Sequence, residues 1–373
     1  MNYNKFRFIA LFLKIILVYL ISSQCLRAQT RVQKIDIDKN LPAEIYKNPD
    51  NVITKSNRLL KQKEFENDYT IKIYMLLSSA YAAKRDYEKS LFYINKASQL
   101  TNKSNDELLK ISLVSKTGIL YHQLKIYDKA LQNLDLAEQM MANYPVKDSI
   151  HLLLGKSYIV RGFIYKDKLS CDIAVDFFKK GAYELKLSKS PLANAPLSIS
   201  KYNEANCYLF MLDDKLAMQN FQESLSYAKS VNAFSLQAFA LKGIAKVYTF
   251  QEHYNQAIAT LTEALAISTE TSDLVLKNEL YKGLSENYLA LNDLDKFNIY
   301  NTKYEEIKNI IKSSERKSIS QSLDSKEKKL EDNLKNSTHK FYFIYAFIIG
   351  FMILSSFIFL IIIKKNKKKL QLL

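Results

Sequence analysis

Tryptophan is absent from the 373 residues, and glycine (seven) and proline (five) are scarce. So few turn-forming residues exclude the many tight turns of a β-sandwich or barrel. Also missing are HExxH, GxSxG, CxxC and any glycine-rich phosphate loop. The four histidines, His122, His151, His253 and His339, lie far apart and lack metal-ligand spacing. These absences lead to the expectation of a chain that is not an enzyme and uses no cofactor and no metal. What is present is apolar surface: 48% of the chain is hydrophobic, with 25 Tyr and 20 Phe, too much for a disordered polymer. The expected fold class is all-α.

The net charge of +16 is unevenly placed. Residues 1–28 carry Lys5, Arg7, Lys14 and Arg27 and no acidic group; residues 339–373 carry six basic groups and no acidic one. The body between them nets only +6, so direct nucleic-acid binding is not expected. At the N-terminus a basic start, an apolar run from Phe8 to Ile21 and a polar stretch ending at Ala28 have the layout of a signal peptide, 1–28. An uncleaved anchor is the rival reading, weakened by Lys14 in mid-run; a lipoprotein reading through Cys25 fails on its lead-in, Ser22-Ser23-Gln24.

Phe341–Ile363 runs for 23 residues without a charge, about 34 Å as a helix and enough to cross a bilayer. Lys364, Lys365, Lys367, Lys368 and Lys369 follow, a cluster that stays on the cytoplasmic side. The expected topology is a bacterial inner-membrane protein crossing once at 341–363, with the body periplasmic and residues 364–373 a short cytoplasmic tail.

The body is repetitive. Tyr81, Tyr121, Tyr165, Tyr208, Tyr248 and Tyr288 recur at intervals of 40 to 44 residues. Three residues before each stands a small one: Ser78, Gly118, Gly162, Ala205, Ala245 and Ser285. Nine after the first five come Ser90, Ala130, Ala174, Ala217 and Ala257; thirteen after, Ile94, Leu134, Phe178, Phe221 and Leu261; sixteen after, Ala97, Ala137, Gly181, Ser224 and Ala264. Small residues let two helices approach and the large ones fill the groove between them, so each unit reads as an antiparallel helix pair that must stack on its neighbours. Pro49, Pro145, Pro191 and Pro196 are expected between units, where they end helices without breaking them.

This pattern resembles the tetratricopeptide repeat over residues 67–305, with a sixth unit (Phe297, Asn301, Tyr304) departing as a capping unit does. The period exceeds the usual 34 residues, which implies longer helices and loops. Residues 29–66 are expected to be a leader and capping half-repeat, and 306–340 a charged juxtamembrane helix that either is simply solvated or pairs two copies of the chain. The resemblance implies a concave groove that binds a peptide or protein. Carried over position by position, it is lined by Lys156, Phe163, Lys166, Tyr202, Asn206, Phe210, Phe239, Lys242, Lys246 and Lys282. Lysines beside aromatic faces suit an extended or acidic peptide. Lys242 and Lys246, four apart, read as the leading pair. Cys171 and Cys207 fall on helices expected to pack together, where they are either a disulfide or two buried thiols.

The whole order resembles the sensory half of bacterial one-pass regulators. The function expected is a membrane-anchored sensor or adaptor; the alternatives are a regulator or histidine kinase lacking its output domain, and a passive assembly scaffold.

Overall fold

The repeating unit is a hairpin of two helices, and a backbone closure at each repeat tyrosine defines it. The computed structural model describes residues 34, 36–45, 48–61, 65–168, 170–269, 271, 273–313 and nine positions between 341 and 352. Among them it is an all-α array of about 13 helices without a strand. The chain divides into two units, residues 1–311 and 312–373.

In the first unit, α1 (Pro49–Lys61) precedes six hairpins. These are α2 (Asn67–Ala83) with α3 (Tyr87–Leu100), α4 (Glu107–Gln123) with α5 (Tyr127–Asn143), and α6 (His151–Asp167) with α7 (Cys171–Leu187). There follow α8 (Asn194–Phe210) with α9 (Asp214–Ser230), α10 (Phe234–Phe250) with α11 (Tyr254–Ser268), and α12 (Leu274–Ala290) with α13 (294–313). Every first helix from α2 to α12 is 17 residues long, which accounts for the long period.

The turn chemistry is the same in all six hairpins. The N–H of Asp86, Ile126, Ser170, Asp213, His253 and Asp293 donates to the carbonyl of the repeat tyrosine five residues earlier, at 2.8–3.0 Å. This six-to-one bond needs a left-handed residue just before the donor, a place where glycine is usual. Here Arg85, Lys125, Leu212, Glu252 and Asn292 occupy it, with φ between 57° and 63°. Asp86 and Asp213 then cap the helix that follows, accepting from the N–H of Lys89 and Leu216.

The seam between paired helices is built from the periodic residues. Ile94, Leu134, Phe178, Phe221 and Leu261 are each at most 2% exposed, and the small residues facing them are buried. A side chain on Gly162 would put its Cβ 2.5 Å from Phe178 Cε1, and one on Gly243 would collide with the Phe221 ring. Tyr81, Tyr165 and Tyr288 stack flat on Tyr93, Phe177 and Tyr300, with centroids 5.5, 5.2 and 5.4 Å apart. Two prolines depart from the expected linker positions. Pro49 opens α1, and Pro196 lies in the first turn of α8, where its missing N–H has no helical partner to lose.

The placement as a single-pass inner-membrane protein is corrected. Among the described residues no helix is long and apolar enough to cross a membrane. The described positions from 341 to 352 are helical and exposed. The expected signal peptide 1–28, residues 353–363 of the expected span, the 364–373 tail and most of the charged segment 306–340 lie outside the described residues. Of that segment, 306–313 are helical.

Candidate functional site

One wall of the array is made by its first helices, α2, α4, α6, α8, α10 and α12, each of which contacts the next through its side chains. Lys166 of α6 donates to Asn203 Oδ1 of α8 at 2.5 Å, and Thr249 of α10 donates to Asn287 Oδ1 of α12 at 3.0 Å. His122 of α4 stacks on Phe163 of α6 at 5.5 Å. Burial pushes the His122 imidazole down to about 4, against the weaker opposing pull of Asp167, whose carboxylate lies 3.9 Å away.

The ten residues expected in the groove divide by exposure. Phe210, Lys246 and Lys282 are exposed; Lys156, Phe163, Lys166, Tyr202, Asn206 and Phe239 are half-buried; Lys242 is only 6% exposed. Tyr202 and Phe239 meet edge to face at 5.8 Å, and Tyr202 also leans on Phe221 of the seam at 5.5 Å. The two rings border a cavity of about 180 Å³ that is completed by Ser198, Ile199, Ser224 and Leu236. The Lys242 ammonium lies 5.0 Å from the Phe239 centroid and 6.0 Å from that of Tyr202. Asn206 turns its amide onto the Tyr202 carbonyl of its own helix at 2.7 Å.

Lys242 and Lys246, four apart on one helix, are therefore different groups. Lys242 pairs with Glu279 of α12 at 3.8 Å; its burial lowers its pKa, and Glu279 opposes that shift. Lys282 faces Glu286 of its own helix at 3.7 Å. Burial likewise lowers the pKa values of Lys156 and Lys166. Lys116 of α4, which sequence reasoning missed, belongs to the same wall. It donates to Ser79 Oγ of α2, and burial with the neighbouring Lys156 charge lowers it to about 8. Its only sequence signal is a lysine at the repeat position where Gly243 and Gly283 stand in later units.

Cys171 and Cys207 sit side by side as buried free thiols with sulfurs 2.7 Å apart, and burial, then the Cys171 hydrogen bond, push the Cys207 thiol up. His151 Nδ1 pairs with Glu184 at 2.7 Å. Arg161 bridges Glu138 at 2.7 Å and Asp135 at 2.5 Å, tying α6 to α5.

No family model matches the sequence. Response regulator aspartate phosphatase I of Bacillus subtilis (strain 168) is 22% identical over 232 residues, which cover 61% of this chain and 50% of that protein. The chain thus spans about half the length of the curated relative it matches. Among solved structures, a STAND signal-transduction ATPase with a tetratricopeptide repeat sensor from Pyrococcus horikoshii is similar with TM-score 0.57 and 17% identity, over 78% of this chain and 42% of that one. NprR in complex with its cognate peptide NprX is similar with TM-score 0.52 and 14% identity, over 78% of this chain and 86% of that one. A Rap protein complexed with competence and sporulation factor is similar with TM-score 0.51 and 12% identity, over 70% and 80%. These likenesses establish the tetratricopeptide-like helical fold. The expectation that the chain is not an enzyme is corrected, because the curated relative is named for a phosphatase activity.

Proposed function

We propose that the wall of first helices binds an extended peptide or protein segment and that the array is a ligand-sensing module. The observation that carries this reading is the Tyr202–Phe239 pair. Two aromatic faces border a cavity of about 180 Å³, and a fixed ammonium lies over both rings. A half-buried aromatic surface beside a paired charge offers an anchor for one apolar side chain of a ligand and a register for the polar backbone next to it. Phe163, Lys166 and Asn206 extend the same wall toward α6, and Lys246, Lys282 and Phe210 supply its exposed polar and apolar contacts. Two of the similar structures hold a peptide or a factor by their own descriptions, NprR with NprX and the Rap protein with competence and sporulation factor, which supports a ligand of this class.

Selection of a displayed dodecapeptide library on the full chain tests the reading. Selected peptides are expected to bind the parent and to weaken at least tenfold on Phe239→Ala. Peptides that bind the parent and ignore Phe239→Ala, Tyr202→Ala and Lys246→Glu alike would overturn it. Pairing of two copies through 306–340 is a separate proposal, checked by sedimentation of the chain with and without that segment.

A further inference from the structure

The chain has three cysteines in 373 residues, and two of them, Cys171 and Cys207, meet where the third hairpin packs on the fourth. Cys171 is the first residue of α7, six after the repeat tyrosine of its unit. Cys207, on α8, stands one before the repeat tyrosine of the next unit. The repeat does not call for a thiol at either place. At the other four junctions the same two positions hold Tyr87 and Leu120, Tyr127 and Ile164, Asp214 and Val247, and Tyr254 and Asn287. Tyr87 and Leu120 share one apolar cluster, and Tyr127 and Ile164 share another, so ordinary packing fills these positions elsewhere. At this junction alone both partners are cysteine.

The two thiols are free and their sulfurs lie 2.7 Å apart. A disulfide bond measures about 2.05 Å, so closure asks for small side-chain rotations and no movement of a helix. Cys171 is 9% exposed and Cys207 is fully buried, so a small oxidant reaches Cys171 first. We propose that Cys171 and Cys207 are a redox pair, in which Cys171 attacks an external disulfide and Cys207 resolves the product into a bond between α7 and α8. With oxidised glutathione the step balances. The Cys171 sulfur attacks one glutathione sulfur and expels the other glutathione as a thiol; Cys207 then displaces the second from Cys171, its proton passing to the departing thiolate. The pair loses two hydrogens, and two glutathione thiols carry them away. Burial holds the Cys207 thiol up and the Lys166 charge works against it, which suits Cys207 to the second step, when its target is already in contact. The bond joins residues 36 apart in sequence, at a junction where Lys166 of α6 also reaches Asn203 of α8. It restricts the unfolded chain and ties two hairpins covalently. This inference goes beyond the peptide reading and does not rest on it.

The test uses the full chain carrying Cys25→Ser, which leaves only the pair to react. Treated with excess oxidised glutathione without denaturant, this chain is expected to lose both titratable thiols, to become two hydrogens lighter by intact mass and to form no covalent dimer. A protease digest is expected to yield one linked peptide pair holding Cys171 and Cys207. The oxidised chain is expected to melt about 5 °C above the reduced one, and dithiothreitol is expected to reverse the shift. Cys207→Ala is expected to stop at a glutathione adduct on Cys171. Cys171→Ala is expected to react at least tenfold more slowly than the parent, because the remaining thiol is fully buried.

Thiols that stay free in the folded chain, yet react once urea unfolds it, overturn the proposal and leave the pair as small apolar filling. A glutathione adduct on each cysteine without closure overturns it too, as does a covalent dimer. An oxidised chain that melts at or below the reduced one overturns the tie, because the bond then forms only by distorting the junction. None of these measurements uses a peptide. Their failure leaves the peptide reading standing, and failure of the peptide selection leaves the pair standing.

Discussion

The seam within each hairpin and the wall of first helices follow opposite rules. The seam repeats one solution six times: a small residue three before the tyrosine, a large apolar residue thirteen after the first five, and an identical backbone closure. The wall changes from helix to helix. It has half-buried lysines at α4–α6, aromatic rings at α8–α10, and lysines matched by Glu279 and Glu286 at α10–α12. Stability comes from the part that repeats, which leaves the part that does not repeat available for recognition.

Substitutions should separate the two regions. Phe178→Ala, in the seam, empties a fully buried position and is expected to cost about 3–5 kcal/mol by urea denaturation. Gly243→Ala drives a methyl into the Phe221 ring and is expected to cost about 2 kcal/mol by the same measurement.

The wall has its own stability term through His122. Its folded pKa, about 4, lies below the ordinary 6.5, so the unfolded chain takes up the proton first. The stabilisation is complete above pH 6.5 and is lost as pH falls toward 4, about 2 kcal/mol between pH 7 and pH 5. His122→Phe, which preserves the stack on Phe163, should remove that acid limb.

A change at a turn should act in the opposite direction. Leu212 is 70% exposed with φ 63°, so Leu212→Gly is expected to stabilise by about 1 kcal/mol, read as a higher urea midpoint. The smallest stability effect belongs to Lys246→Glu, expected within about 0.5 kcal/mol because the side chain is exposed. A large loss there would break the division between seam and wall.

The seam was legible in the sequence because its residues obey a period, and a period is what stacked hairpins impose. The wall was legible only as a set of positions. Lys242 and Lys246 look equivalent at a spacing of four, yet one is paired with Glu279 from the next first helix and the other is not. Three polar contacts between successive first helices, Lys166–Asn203, Thr249–Asn287 and Lys242–Glu279, join residues 37 or 38 apart, a separation at which no local rule links a lysine to its acid. Lys116 escaped notice because it sits on a position that glycine takes in two later units. The left-handed turns escaped it because the usual marker, glycine, is absent from them.

That absence bears on how such a chain can change over generations. At least five of the turns use a residue other than glycine where glycine would relieve the backbone, so each is a reserve of stability reachable by a single substitution. Acquiring a new ligand means trying unfavourable residues on the wall, each with its own penalty. A lineage that first drew on one of these turns would tolerate a penalty of about 1 kcal/mol without crossing the threshold below which the fold is lost. The closures that hold the hairpins together are, in this sense, what lets the wall between them explore.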